Sequence, residues 1–459
     1  MLEDRLSAHK ARMKGYTELR VQENTSKSVV FIGGNMVRNQ SAVSCGVSAR
    51  VYRNGVYGFA SAAETDDDSI ARVLAAASDN AAFFDGRLRK GKPPLPATGH
   101  MPMTMPRPAH DIAANVRIDF ARQLDEYIGR KYPQLASHSI MVSDLDMEKL
   151  MVTSDGADVH SYVPRSYVYV DMTANTDDGT PVTLFEPFGG YGFFDEVHPN
   201  IEGLFEGVET LYRQVMDKRQ GVFSNAGVKT CILHADLAGM LAHEAVGHTV
   251  EADIVLGGSV AANLMDQQVA SELVTMVDFA HTALGQPCPV PVVVDDEGVI
   301  AQDAVLIEKG MLRSYMHNRE TAQHFGVEPT GNARAYKFSD EPLVRMRNTA
   351  VLPGTSKLDD LIASVDDGYY LIKTGNGQAD TTGEFMFSVD LAYEIKNGKL
   401  GKAVRETTVS GVAFEMLKTV DMVSDDMSWT CSGMCGKKQM IPVGMGGPAL
   451  RCKISIGGV

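Results

Sequence analysis

Apolar residues along the chain follow two periods in turn, one close to that of a helix and one of two residues. Residues 2–20 have the spacing of an opening amphipathic helix, and the strand-like VVFIGGNMV (29–37) follows. GVSARVY and VYGFAS then flank Arg53-Asn54-Gly55. An Asn-Gly pair supplies the positive φ angles of a tight hairpin, so these two segments are expected to pair antiparallel. Asp66-Asp67-Asp68-Ser69 caps a helix carrying Ile70, Val73 and Leu74, and the acidic run reads as its solvated start. The Pro-rich stretch 91–110 lacks apolar periodicity and reads as an extended crossing or linker. ANVRIDFARQLDEYIGRKYPQL (114–135) has helical periodicity, strands with turns continue to about residue 195, and FEGVETLYRQVMDKRQ (205–220) is another helix.

The second half is richer in short turns. DEG and EKG punctuate VVVDDEGVIAQDAVLIEKGMLRSYMH, and Asn397-Gly398 sits inside FMFSVDLAYEIKNGKLGKAVRETTVSG. Strands joined by such turns must be antiparallel, since parallel neighbours need a long crossover. The expected fold class is therefore α+β with two domains. Residues 1–225 form a mixed N-terminal domain, and residues 226–459 form a C-terminal domain with a large antiparallel sheet and few helices.

Within the second half, AHEAVGHTVEAD (242–253) contains a His-Glu pair and a second His. Asp236 is expected to cap a helix on which Leu237, Met240, Leu241, Glu244 and His248 share a stripe. His243 and His248 are five residues apart, about 140° around a regular α-helix, whereas residues four apart differ by only about 40°. Both imidazoles can face one ion only if the helix widens by one residue, as a π-type turn does, or breaks after Glu244. Gly247 is the expected place for the widening. Neutral imidazoles suit Zn²⁺, and an adjacent carboxylate can act as general base, so His243 and His248 are candidate ligands and Glu244 the candidate base. The competing reading is a pair of ordinary histidines beside a helical Glu. A third ligand could come from Glu251, Asp253, His281, Cys431 or Cys435.

Composition narrows the function. The 459 residues carry a formal charge of −15 with no Lys/Arg-rich block, which excludes direct nucleic-acid binding as an expectation. Six scattered cysteines read as reduced thiols or ligands and not as a disulfide framework. The first twenty residues mix both charges, and no eighteen apolar residues run together, so a cytoplasmic protein without membrane contact is expected. Asn332 and Arg334 in TGNARA are candidate substrate-binding groups, with a structural turn as the competing reading. Tyr315, His317 and Arg319 read as residues packing a helix start. The Gly-rich PVGMGGP and ISIGGV read as tight turns near the metal.

Taken together, GVSARVYRNGVYGFAS, HEAVGH, VDDEGVIAQDAVLIEKGMLRSYMHNRETA, PTGNARA, PLVRMRNTAVLPG, Ser410-Gly411 and GMCGKKQMIPVGMGGP occur in an order that resembles the TldD/PmbA family over nearly the whole chain. The resemblance is to those members that carry an HExxxH motif, historically called modulators of DNA gyrase. It implies Zn²⁺ held by His243, His248 and Cys435, with Glu244 as the base that activates a zinc-bound water. It also implies a peptidase that cuts short or unfolded peptides with little side-chain selectivity, and an extended peptide added as a strand to a sheet edge would be bound in that sequence-independent way. The implied partner is a related, motif-lacking PmbA (TldE)-like subunit or a second copy of the chain. The alternative within the family is a non-catalytic scaffold subunit with a structural metal.

Overall fold

Strand β1 (Tyr16–Ile32) turns at Gly33-Gly34 into β2 (Asn35–Arg53), and Asn54-Gly55, at φ 49° and 94°, turns β2 into β3 (Val56–Ala62). The Asn-Gly hairpin forms as its sequence predicts. The computed structural model describes residues 6–96, 103–105, 110 and 112–457. The N-terminal segment departs from expectation. Among the described residues helical structure ends at Arg12 and β1 begins at Tyr16, so the helix expected over 2–20 is shorter. Thr17, Leu19 and Val21 are buried along β1, and pairing on both sides holds that segment extended.

Helix α1 (Asp67–Leu88) is capped by Asp66, whose carboxylate accepts from Ser69 N at 2.8 Å. Its Ile70, Val73, Leu74, Ala77 and Ala81 pack on Leu19, Val21, Val47, Ala49 and Val51. Gly58 on β3 makes the approach possible, since a Cβ there would lie 2.2 Å from Ala77 O. Most of the proline-rich stretch lies outside the described residues, but Met103–Met105 (β4) pairs parallel with residues 159–161. Helix α2 (Ala114–Lys131) precedes three antiparallel strands, β5 (Ser137–Thr153), β6 (Asp158–Asn175) and β7 (Pro181–Tyr191), and helix α3 (Phe205–Arg219) follows. The first seven-stranded sheet runs β3-β2-β1-β5-β6, with β4 and β7 both on β6. The periodic apolar faces of α2 and α3 cover it through Leu124, Ile128, Val208 and Leu211.

The second half holds two main sheets. The first has six strands in the order Met311–Leu312, Ala304–Glu308, Met276–Phe279, Asn348–Val351, Gln439–Gly447, Ser428–Lys437. The other runs Asp367–Ala379, Gly227–Leu233, Leu450–Ile456, Thr407–Val412, Glu384–Lys396, Lys399–Val404, and pairing of Asp367–Ala379 with Glu384–Lys396 closes it on itself. The expected single antiparallel sheet is corrected on two counts. There are two sheets, and each contains a parallel pair, Asn348–Val351 with Gln439–Gly447 and Asp367–Ala379 with Gly227–Leu233. These pairs join segments far apart in sequence, which turn signals cannot reveal. The Asn397-Gly398 hairpin forms as read, with Asn397 at φ 51°.

Candidate metal centre

Strand Gly227–Leu233 of the closed sheet leads into helix α4 (Ala235–Leu241). Its cap is His234, whose Nδ1 accepts from Asp236 N at 3.4 Å, so Asp236 lies in the first turn instead of capping it. Leu237 and Leu241 of the predicted stripe are buried in the main core with Ala238 beside them, while Met240 and Glu244 line a cavity. Gly239 allows α4 to lie on strand Gln439–Gly447, where a Cβ would meet Gly446 N at 2.7 Å. The PVGMGGP segment is thus a buried strand and not a set of turns, its glycines making room for α4 and Trp429.

From Ala242 to Gly247 the helix is a π-helix, and His248–Val250 tightens to a 3₁₀ turn. The widening falls across the His-Glu pair and ends at Gly247. A Cβ at Gly247 would stand 2.1 Å from Met346 Sδ, so a small residue is needed where this turn meets the core. The consequence is geometric: the imidazole centroids of His243 and His248 are 5.3 Å apart, with planes at 80°. Cys435 on strand Ser428–Lys437 completes the group, and one ligand atom from each of the three lies within 4.8 Å of the others. Among the described residues, Cys431 and His281 do not join this cluster, while Glu251 and Asp253 stand behind it.

The surroundings tune these groups. His243 is fully buried, and neither ring nitrogen has a hydrogen-bond partner. Unpartnered buried imidazole nitrogens beside a thiol fit a bound metal ion, and this donor set suits divalent transition metals. His248 Nε2 lies 3.4 Å from Cys435 Sγ, while its Nδ1 meets Glu251 Oε2 at 2.9 Å. A carboxylate only accepts, so Glu251 holds the proton on Nδ1 and leaves Nε2 toward the thiol. Burial would raise the Cys435 thiol, but His243 and His248 more than offset it and lower it from 9.0 to about 4. Burial would lower His248, but Cys435 and Glu251 raise it from 6.5 to about 10. Glu251 is itself held below its ordinary value because His248, Lys437 and Arg345 outweigh its burial. Lys437 Nζ bridges Glu251 at 3.2 Å and Asp253 at 2.7 Å, and Arg345 Nη2 donates to Cys435 O at 2.8 Å.

Glu244 is half-buried, its side chain 27% accessible against 23% for His248. Its carboxylate approaches His248 Nε2 at 3.5 Å and His243 Nε2 at 4.0 Å. It lines a cavity of about 500 Å³ with Glu186, Asp236, Met240, Lys373 and Trp429. Cys431 also lines this cavity, where burial pushes its thiol up to about 11. A carboxylate beside the metal-ligand cluster and open to a cavity can exchange protons with a molecule held there.

Asn332 and Arg334, expected at the substrate, lie elsewhere. Asn332 is fully buried, donating to Asp278 Oδ2 at 2.8 Å and to Arg345 O at 2.9 Å. Arg334 donates to the Met346 carbonyl and to Pro442 O at 2.8 Å, and neither residue lines the cavity at Glu244. Tyr315 donates to Ala261 O at 2.7 Å, and Asn318 caps the helix Arg319–Phe325, so SYMHNRE does pack a helix start. The residue missed by sequence reading is Glu251 in its orienting role. The available signal was an acid three places after a candidate ligand His, on a turn that brings the two together.

Comparison with known proteins places the whole chain in one context. Profiles described as PmbA/TldA metallopeptidase domain 1, central domain and C-terminal domain match residues 17–81, 107–216 and 226–458. A metalloprotease TldD homologue of Haemophilus influenzae is 31% identical over 96% of this chain and 93% of that protein. A zinc metalloprotease TldD homologue of Saccharolobus solfataricus is 28% identical over 74% of this chain and 76% of its own length. The crystal structure of TldE from Thermococcus kodakarensis superposes with a TM-score of 0.78, covering 100% of both chains at 17% identity. At that identity the likeness is one of fold.

Proposed function

Because the chain belongs to the PmbA/TldD metallopeptidase family, we propose that it is a zinc-dependent peptidase acting on short or unfolded peptides. The observation that carries this reading is the placement of Glu244. Its carboxylate lies within 4.0 Å of both imidazoles of the metal-ligand cluster and opens onto the cavity. A purely structural metal site needs no such group.

In this reading His243, His248 and Cys435 hold Zn²⁺, which when bound supplies a Lewis acid toward the scissile carbonyl and the attacking water. Glu244 takes the proton from that water and delivers it to the leaving amine, and Glu251 keeps His248 in the tautomer that presents Nε2. Strand Ser428–Lys437 is an edge of its sheet, and its Thr430–Met434 stretch lines the cavity. An extended peptide can lie along such an edge through main-chain hydrogen bonds, which accounts for low side-chain selectivity. Residues 1–225 contribute one wall through Phe185 and Glu186, and residues 226–459 carry the metal centre. A second subunit, either a copy of this chain or a PmbA (TldE)-like relative, encloses the cavity in this reading. The charge of −15 supports peptides and not nucleic acid as the substrate. No helix among the described residues is long and apolar enough to cross a membrane, and a cytoplasmic setting fits the thiol ligand, which an oxidising compartment would put at risk.

The test pairs zinc content with turnover of an unstructured fluorogenic peptide. Glu244→Gln should retain about one zinc per chain, as three protein ligands predict, and lose about 10²–10⁴-fold in kcat. Zinc-loaded wild-type protein that cleaves no unstructured peptide, alone or with a PmbA-type subunit, would assign the chain to the scaffold reading instead.

A further inference from the structure

The cavity of about 500 Å³ at Glu244 is lopsided in charge. Its lining holds four carboxylates, Glu186, Asp236, Glu244 and Asp390, against one cation, Lys373. Lys373 is already engaged by Glu186, with which it forms an ion pair between the two halves of the chain. Zn²⁺ held by two neutral imidazoles and one thiolate adds a single positive charge, which offsets Glu244 and nothing more. Asp236 and Asp390 are left over.

Among the described residues no Lys or Arg forms an ion pair with either of them. Asp236 lies in the first turn of α4, its side chain 33% accessible. Thr430 Oγ1 donates to its Oδ1 at 3.3 Å. His234 Nδ1, 3.8 Å from Oδ2, already accepts from Asp236 N, and so turns a lone pair and not a proton toward the carboxylate. Asp390 lies on strand Glu384–Lys396. Burial raises its carboxyl, which Lys218 and Lys373 oppose without reaching ion-pair distance and Glu406 reinforces. Gly375, in the same lining, leaves Asp390 uncovered, since a Cβ there would lie 2.7 Å from its Oδ1.

Carboxylates that face a cavity without a counter-charge are stabilised by a cation that enters it. The site itself stands on the metal-ligand cluster, where fully buried His243 has two unpartnered ring nitrogens; the acids bear on which substrates it prefers. Asp236, Met240 and Glu244 follow at four-residue steps along the cavity side of the helix. At about 1.5 Å per residue Asp236 stands about 12 Å from Glu244, the span of about three or four residues of extended peptide.

The geometry points to Asp236 as a specificity-determining residue that holds a Lys or Arg side chain about three or four residues from the scissile bond, with Asp390 adding to the same field. This inference rests on the peptidase reading and narrows its substrates to cationic peptides. Main-chain pairing along strand Ser428–Lys437 stays indifferent to the residues at the bond itself, so a charge preference at one remote position is compatible with low selectivity there.

The experiment uses the zinc-loaded full-length protein and three unstructured, internally quenched peptides of Ala, Ser and Gly, each with a single central Lys, norleucine or Glu, the cut bonds being mapped by mass spectrometry. The Lys peptide should exceed the norleucine peptide in kcat/KM by at least about threefold, as one half-exposed ion pair predicts. The Glu peptide should fall below both, and cuts in the Lys peptide should gather about three or four residues from the Lys. Raising salt from about 0.05 M to about 0.5 M should shrink the advantage. In Asp236→Asn the Lys-to-norleucine ratio should fall to about one, and in Asp236→Lys the Glu peptide should lead; a residue that only braced the helix would lower all three peptides alike. Equal kcat/KM for the Lys and norleucine peptides, or an unchanged ratio in Asp236→Asn, would overturn the assignment. Binding of the same peptides to zinc-loaded Glu244→Gln, read by fluorescence anisotropy, separates this inference from the peptidase reading. If the wild type cleaves none of the three, the peptidase reading fails, while Lys-peptide binding at least about threefold tighter than norleucine still upholds the cation preference and equal affinities overturn it.

Discussion

Replacing Glu251 by Gln separates the metal's affinity from the protein's stability. The carboxylate is fully buried and holds His248 Nδ1 at 2.9 Å and Lys437 Nζ at 3.2 Å. An amide of the same shape can offer either a donor or an acceptor to Nδ1, so the tautomer is no longer dictated and the charge that makes Nε2 a better donor is gone. Loss of such a partner weakens metal binding about 10–100-fold, or about 1.4–2.7 kcal/mol. Breaking a buried ion pair costs about 3–5 kcal/mol when the remaining charge is stranded. Here Lys437 keeps Asp253 at 2.7 Å and the Val344 carbonyl at 2.9 Å, so the metal-free protein loses less than that. Zinc affinity is measured by competition with a chromophoric chelator, and metal-free stability by urea unfolding. Glu244→Gln serves as the control that keeps wild-type affinity. A folded Glu251→Gln protein with wild-type zinc affinity would refute the reasoning, since His248 would then need no carboxylate behind it.

Three further outcomes follow from the packing. Gly247→Ala brings a Cβ to 2.1 Å from Met346 Sδ, and overpacking of about 1–3 kcal/mol outweighs the roughly 1 kcal/mol that Ala gains in helices; urea unfolding should show the loss and Met346→Ala should recover part of it, whereas a neutral Gly247→Ala would mean the turn is not tightly packed. His317 is buried, which lowers it from 6.5 to about 4; its contribution is full above pH 6.5 and is lost as pH falls toward 4, on the order of 3 kcal/mol. Wild-type protein should therefore lose stability more steeply than His317→Gln below pH 6.5, and parallel pH curves would remove His317 from the acid response. Arg347 and Asp278 are both fully buried and paired at 2.9 Å, so Arg347→Met should cost about 3–5 kcal/mol by leaving the carboxylate its Asn332 and Thr349 hydrogen bonds but no counter-charge, with Asp278→Asn in the same chain restoring much of it; a cost below about 1 kcal/mol would contradict the ion-pair account.

Local chemistry was legible in the order of residues. Asn54-Gly55 and Asn397-Gly398 sit at positive φ in their hairpins, Asp66 caps its helix, and the five-residue spacing of His243 and His248 is met by a π-helix over Ala242–Gly247. Each of these depends on neighbours a few residues away, and the physics of turns, caps and helical periods acts at that range. Cys435 stood among several candidate ligands until the resemblance singled it out, because nothing local marks one thiol over another. Tertiary structure decided the rest. It paired Asn348–Val351 with Gln439–Gly447, made the PVGMGGP segment a strand beneath a helix, and buried Asn332 against Asp278 instead of at a substrate. It also brought Cys435 to the two histidines and set Lys437 against Glu251. Sequence determines what a residue can donate, accept or bind. Which groups then meet, which are cut off from water and which remain unpaired depends on contacts between segments tens to hundreds of residues apart, and those contacts exist only once the chain has packed.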